Sequence, residues 1–180
     1  LNAELHAKDL KIITGSNQVD YATGIAIPIS SSSTAPAFAI DSSSLGGMYA
    51  NRIRLIGTEA GVGMRLAGPV AAMNGNLEIT NSGDVRIVRA SAKQAVSIRT
   101  DRDLAIDADG GIERAGISSG AALTLTAASG ITLADGVAVT GAATRITSES
   151  IFTGNNSEIA ARDALTIEAE NQQLSGTIAS

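Results

Sequence analysis

Apolar and polar positions alternate in short runs along most of this chain. Leu77-Glu78-Ile79, Val85-Arg86-Ile87, Val96-Ser97-Ile98, Leu104-Ala105-Ile106 and Leu123-Thr124-Leu125 each put two outer side chains on one face of the backbone and the middle one on the other. A period of two is that of a half-buried strand, and the runs are too short and too often broken by turn residues for helix. They also recur. Val96 follows Leu77 by 19 residues, Ile98 follows Ile79 and Ile117 follows Ile98 by the same interval. Leu104 follows Val85, Leu123 follows Leu104 and Ile131 follows Ile112, again 19 apart. Asp84 and Asp103 each precede a run, and Gly111 and Gly130 sit before Ile112 and Ile131.

Strands this short cannot close a core alone, so successive periods must stack and share one. The pattern predicts an all-β chain: a parallel β-helix, or solenoid, with about 19 residues per turn. Ile79, Ile87, Ile98, Ile106, Leu125 and Leu133 should form its buried ladders. The 19-residue register should slip once. Leu123 is followed by Ile146 at 23, which implies extra turn residues around Asp135 to Ala143, and then Ile146 to Leu165 and Ile159 to Ile178 are 19 apart.

The organisation expected is one continuous domain in three parts. Residues 1–14 form one turn, with Leu10-Lys11-Ile12 as its strand, and residues 48–180 carry the repeats from Ile53-Arg54-Leu55 onward. Between them residues 15–47 break the pattern. Pro28 and Pro36 cannot donate to a central ladder, and Ser30 to Ser33 is turn-like. This segment is expected to leave the helix as a hairpin-like excursion and to return to the next turn. Ile25, Ile27, Ile29, Phe38 and Ile40 would then pack on an outer face, because a disordered linker has little use for so much apolar surface. The chain begins within a strand-like pattern with no visible signal peptide, as a fragment of a longer chain would.

Composition sharpens this. Of 180 residues 44% are apolar but only 2% aromatic, as stacked aliphatic ladders require, and 19 Gly supply turns. Net charge is −5 with no basic patch, which argues against a nucleic-acid partner. There is no Cys, hence no disulfide or thiolate site, and no apolar run approaches the roughly 18 residues of a transmembrane segment.

Candidate chemistry is sparse. Gly57-Thr58-Glu59-Ala60-Gly61-Val62-Gly63 lacks the Lys-Ser/Thr ending of a phosphate loop and reads as a turn. Asp101, Asp103, Asp107 and Asp109 supply carboxylates but straddle the Leu104–Ile106 strand, so they need not converge on Ca²⁺. His6 is the single histidine. Arg52, Arg54, Arg65, Arg86, Arg89, Arg99 and Arg102 mostly alternate with apolar residues and should face outward. We therefore assign no catalytic, cofactor-binding or metal residue and no cofactor.

Leu45-Gly46-Gly47-Met48-Tyr49-Ala50-Asn51-Arg52-Ile53-Arg54-Leu55-Ile56-Gly57-Thr58-Glu59-Ala60-Gly61-Val62-Gly63 resembles the filamentous haemagglutinin family, the large exoproteins of bacterial two-partner secretion. That family includes adhesins and contact-dependent growth inhibition proteins. Ala7-Lys8-Asp9-Leu10, the stretch Gly15 to Tyr21 and Ala35 to Asp41 are similar to it as well. The family's Asn-Pro-Asn-Gly type start motif is missing. The resemblance implies a right-handed β-helix at the surface of a Gram-negative cell or secreted from it. It implies export by an outer-membrane two-partner secretion transporter, and a host or bacterial cell-surface receptor or glycan as a further partner. The function expected is a non-catalytic structural segment at the end of the secretion-directing domain and the first repeats. The alternative is a carbohydrate-active β-helix enzyme or a carbohydrate- or receptor-binding module.

Overall fold

The computed structural model describes residues 1–20, 22–30, 34–108 and 115–180. Within them the chain is all β. In order the strands are β1 (Leu5–Thr14), β2 (Asn17–Val19), β3 (Ala26–Pro28), β4 (Phe38–Ser42), β5 (Met48–Gly57) and β6 (Gly63–Leu66). Next come β7 (Val70–Ala72), β8 (Leu77–Asn81), β9 (Val85–Ile87), β10 (Arg89–Ala92), β11 (Val96–Thr100) and β12 (Leu104–Ile106). The chain ends with β13 (Gly116–Ser119), β14 (Leu123–Ala127), β15 (Gly130–Leu133), β16 (Ala138–Thr153), β17 (Glu158–Leu174) and β18 (Thr177–Ala179).

All but β2 and β3 stack in parallel, turn on turn, along three sides of a solenoid. The first side runs through the partnered residues Leu10, Ile53, Leu77, Val96, Leu123, Thr144 and Leu165. The second runs through Ile40, Met64, Val85, Leu104, Ile131, Ile151 and Gln172. On the third side stand Leu5, Met48, Val70, Ala90, Ile117, Val139, Ile159 and Ile178. Seven rungs on the first side give a rise of roughly 29 Å at the usual strand spacing of about 4.8 Å.

The aliphatic alternation builds the core as expected. Ile79, Ile87, Ile98, Ile106, Leu125 and Leu133 are all buried, each at 1% exposure or less. Ile79, Ile98 and Leu125 are consecutive rungs of one ladder, and Ile87, Ile106 and Leu133 of another. Burying one such side chain contributes about 1.5–3 kcal/mol.

The constant 19-residue register is corrected. Turns average about 21 residues. The interval of 19 holds from Leu77 to Val96 and from Val85 to Leu104. The next turn takes 27, since Val96 partners Leu123 and Leu104 partners Ile131. Leu104 to Leu123 is also 19 in sequence, but it crosses from the second side to the first. Ile117 lies opposite Ala90, on a different side from Ile98. Stacking fixes only which rungs meet; corner loops set the spacing and are free to vary. Ile112 and Gly111 lie outside the described residues.

The expected slip after Leu123 has another cause. Leu123 partners Thr144 and Leu125 partners Ile146, a step of 21, and Thr144 then partners Leu165. Thr144 is buried at 2% in an inward position, its hydroxyl donating to Ala160 O at 3.3 Å, so matching apolar residues alone skips it. Ile159 and Ile178 do pair, 19 apart.

Leu10-Lys11-Ile12 stacks directly on Ile53-Arg54-Leu55, as expected for an excursion that leaves one turn and returns to the next. Its boundary at Gly47 is corrected. Phe38–Ser42 pairs in parallel with β6 and buries Ile40 at 5%, so the second side of the solenoid begins there. What stands outside the stack is the antiparallel hairpin of β2 and β3.

Candidate functional site

The residues singled out for chemistry are consumed by the fold. In the Gly57–Gly63 turn, Thr58 N donates to Thr14 O, Gly61 N to Ser82 O, Val62 N to Glu59 O and Gly63 N to Ala37 O. Four amides of the loop are thus committed within the protein, as in a turn between rungs. Gly61 has φ +79°, the left-handed conformation that this turn demands.

The aspartates separate. Asp103 Oδ1 accepts from Gly130 N at 2.9 Å, and Asp84 Oδ1 faces Asp103 N at 3.4 Å, so one carboxylate after another ties a corner to the turn above it. Asp101 is exposed before β12 and Asp107 follows it. Asp109 lies outside the described residues, among which no group of three His, Cys, Asp or Glu gathers. His6 is exposed, stacks on Tyr49 with centroids 5.0 Å apart and sits 2.9 Å from Glu4 Oε2.

The arginines divide. Arg52, Arg54, Arg65, Arg86, Arg99 and Arg102 are exposed, whereas Arg89 is half-buried. Several reach the neighbouring turn. Arg52 Nε donates to Asp9 at 2.9 Å, Arg54 lies 3.3 Å from Glu78, and Arg65 grips both Asp41 oxygens at 2.7 and 2.8 Å. Each of these pairs is directly opposed in the ladder. The guanidinium of Arg52 holds the Asp9 carboxyl below the usual carboxylate range, and that of Arg65 does the same for Asp41. Such pairs favour one stacking register over another.

Among the described residues two further surfaces stand out. One is a shallow trough of about 370 Å³ on the third side, where Tyr49, Arg89, Ser91, Ser118 and Thr140 surround a floor of small residues. No carboxylate stands among its described lining residues.

The other is the hairpin. Pairing puts Asn17 beside Pro28 and Val19 beside Ala26 on one face, and Gln18 beside Ile27 on the other. The first face turns to the solenoid: Asn17 Oδ1 accepts from Thr58 Oγ1 at 2.6 Å and its Nδ2 donates to Thr14 O at 3.0 Å. The tip is tied down by Lys11 Nζ, which donates to Gly24 O at 2.6 Å. Asp20 closes the turn, its Oδ1 accepting from the amide and hydroxyl of Thr23 at 2.7 Å, which lowers its pKa.

Ile25, Ile27 and Ile29 are 60%, 59% and 54% exposed, and Ile29 borders a hollow with Thr58, Glu59 and Ala60. They were expected to pack on an outer face. The two-residue period that unites them also carries them to the side opposite Asn17. Asn17 fixes which face is anchored through Thr58, 41 residues away.

Comparison with known proteins locates the chain. Residues 1–87 match the family model of the TPS secretion domain. The chain is similar to tRNA nuclease CdiA-2 of Burkholderia pseudomallei, 51% identical over 83 residues that make up 46% of this chain and 3% of the relative. It is 40% identical to 16S rRNA endonuclease CdiA of Enterobacter cloacae over 98 residues, 54% of this chain and 3% of the relative. It is also 40% identical to Toxin CdiA of Yersinia pestis over 121 residues, 67% of this chain and 4% of the relative. The chain thus spans only a few per cent of the length of these relatives. No solved structure matches it. The resemblance to a two-partner secretion exoprotein of the contact-dependent inhibition type holds, and the region resembled is N-terminal.

Proposed function

We propose that this chain is a non-catalytic structural segment of a large secreted or surface-displayed exoprotein of a Gram-negative bacterium. Its first part belongs to the module that directs export through an outer-membrane partner transporter, and its later turns begin a stalk. The observation that carries this is continuity. The match to a secretion domain covers residues 1–87, yet the same three ladders run on unbroken through β17. A module that ends inside a continuous stack is fitted to seed it: each turn needs only its neighbour, so folding advances turn by turn as chain emerges. The nuclease and toxin names of the relatives describe proteins about thirty times longer than the matched segments. Any toxin then lies elsewhere in such a protein, and this part keeps the tasks of export and reach.

Export is tested in a Gram-negative host that expresses the complete protein containing this chain, with and without an outer-membrane barrel transporter of the two-partner type. Appearance of the chain outside the cell only with the barrel supports the reading. Equal release without it overturns export by a partner. Reproducible polysaccharide cleavage by the purified chain would overturn the non-catalytic part.

A further inference from the structure

The corner between β7 and β8 carries a chemically reactive pair. Asn74-Gly75 is the only place in the 180 residues where glycine follows asparagine. Glycine has no Cβ to hinder its amide and its backbone bends readily, so in a free chain Gly75 N reaches the Asn74 side-chain carbonyl. The fold itself demands this glycine, because a Cβ at position 75 would collide with Arg52 Cγ. Asn74, by contrast, is exposed, a place where other polar residues would serve as well.

The stacked chain holds both reacting groups. Asn51, in the turn below, takes the pair at two points. Its O accepts from Gly75 N at 2.7 Å, and its Oδ1 accepts from Asn74 Nδ2 at 2.8 Å. The corner is tied to the turn above as well, with Gln94 N donating to Gly75 O at 3.2 Å. A Gly75 amide aimed at Asn51 is not aimed at the side chain of its own neighbour. Water has access, since the pair borders a hollow of about 340 Å³ together with Lys8, Asn51 and Gln94.

We propose that Asn74 is a self-modification site that stacking switches off: it loses ammonia in the unstacked chain, and Asn51 keeps it intact in the stacked one. Gly75 N gives its proton to water and attacks Asn74 Cγ, and the new C–N bond expels the side-chain nitrogen as ammonia. Water then opens the five-membered imide at one of its two carbonyls. Opening at the side-chain carbonyl leaves aspartate. Opening at the backbone carbonyl leaves isoaspartate, whose main chain is longer by one carbon. The net change is one water taken up and one ammonia released. Either product is wrong for the corner. Aspartate sets a carboxylate oxygen against Asn51 Oδ1 where a donor stood. Isoaspartate lengthens a corner whose Met73, Asn74 and Gly75 amides all donate to the turn below. A chain that lingers unstacked thus becomes harder to stack, whatever holds it in that state, so the proposal is independent of the export reading.

The test ages the chain at mildly alkaline pH, stacked in buffer and unfolded in guanidinium chloride, and follows the Asn74 peptide by mass as amide becomes carboxyl. The unfolded chain should convert at least about tenfold faster, because in the stack only the opened fraction of the corner reacts. Stacked Asn51→Ala should convert about two- to tenfold faster than the stacked unaltered chain, as loss of one hydrogen bond allows. After ageing unfolded, the unaltered chain should regain less β circular dichroism than Asn74→Gln, whose longer side chain would have to close a larger ring. No conversion in the unfolded chain overturns the site. Equal conversion of stacked and unfolded chains overturns the switch, a comparison that uses the unaltered chain alone and stands even if Asn51→Ala fails to stack. Equal rates in stacked Asn51→Ala and unaltered chains overturn the part given to the Asn51 side chain, and equal recovery of the two aged chains overturns the consequence for stacking.

Discussion

Leu10 and Ile53 are adjacent rungs of one ladder although 43 residues separate them. The intervening chain makes the hairpin, then lays down β4 on another side before the first side resumes. A loop of that length costs little more to close than a shorter one, because closure entropy grows only with the logarithm of length.

Replacing residues 15–37 with a short Gly-Ser linker should therefore leave the β-rich circular dichroism spectrum and cooperative unfolding intact, with a modest fall in the unfolding midpoint. Extending the deletion through Ser42 should be far worse, because it removes Ile40 from the core and uncovers β6. Equal behaviour of the two deletions would show that Phe38–Ser42 is not a rung.

Ile106 sits between Ile87 and Leu133 with no exposed surface. Ile106→Ala should cost about 2–5 kcal/mol in denaturant unfolding, as core truncations do. Ser97 points outward on the strand that carries Ile98, and Ser97→Ala should change stability by less than about 0.5 kcal/mol. Equal shifts would mean that the inward and outward faces are exchanged.

Gly116 tests the 27-residue turn. It lies opposite Ala138 with φ +140°, and a Cβ there would collide with Ala138 O. Gly116→Ala should lower stability by about 1–3 kcal/mol from backbone strain alone, with more from the clash. Gly136→Ala serves as comparison: its φ is +74° but a Cβ would meet nothing within 4 Å, so only the strain remains. A milder effect at Gly116 than at Gly136 would place Gly116 off the ladder.

Asp9 and Asp41 link the first rungs to the second through Arg52 and Arg65, and their folded pKa values lie below the ordinary value. Each carboxylate then favours the folded state above the unfolded pKa of about 3.9, and that contribution is lost as pH falls through the lower folded value. The unfolding midpoint of the unaltered chain should drop on acidification below about pH 4, and Asp9→Asn with Asp41→Asn should flatten that drop. Both pairs are exposed, so salt near 1 M should erase most of the difference between the two proteins. A difference that salt leaves untouched would point to packing and away from charge.

Strand identity, the inward residues and the stacking of Leu10 on Ile53 were legible in the sequence, because alternation is dictated by the backbone's own period. Turn length was not. An interval of 19 between Leu104 and Leu123 looks the same as one between Val85 and Leu104, although only the second joins rungs of one ladder. Thr144 hid a rung because a buried hydroxyl satisfied by Ala160 O reads as a surface residue. At the hairpin, apolar content was visible but its direction was not: that is decided by Asn17 and Lys11, whose partners Thr58 and Gly24 sit in turns 41 and 13 residues away.

The variable corners and the uniform ladders bear differently on mechanical load. Inter-strand hydrogen bonds in a stacked solenoid lie along its axis, so a pull between its two ends opens them one turn at a time, like a zip. Each turn lost would free about 21 residues, or about 70 Å of extended chain, and the force would then fall until the next turn takes the strain. Because the corners differ in length, those releases would not be equal. The 43-residue step from Leu10 to Ile53 would pay out most and the 27-residue turn between β11 and β14 next, and force spectroscopy would show these as long steps among shorter ones.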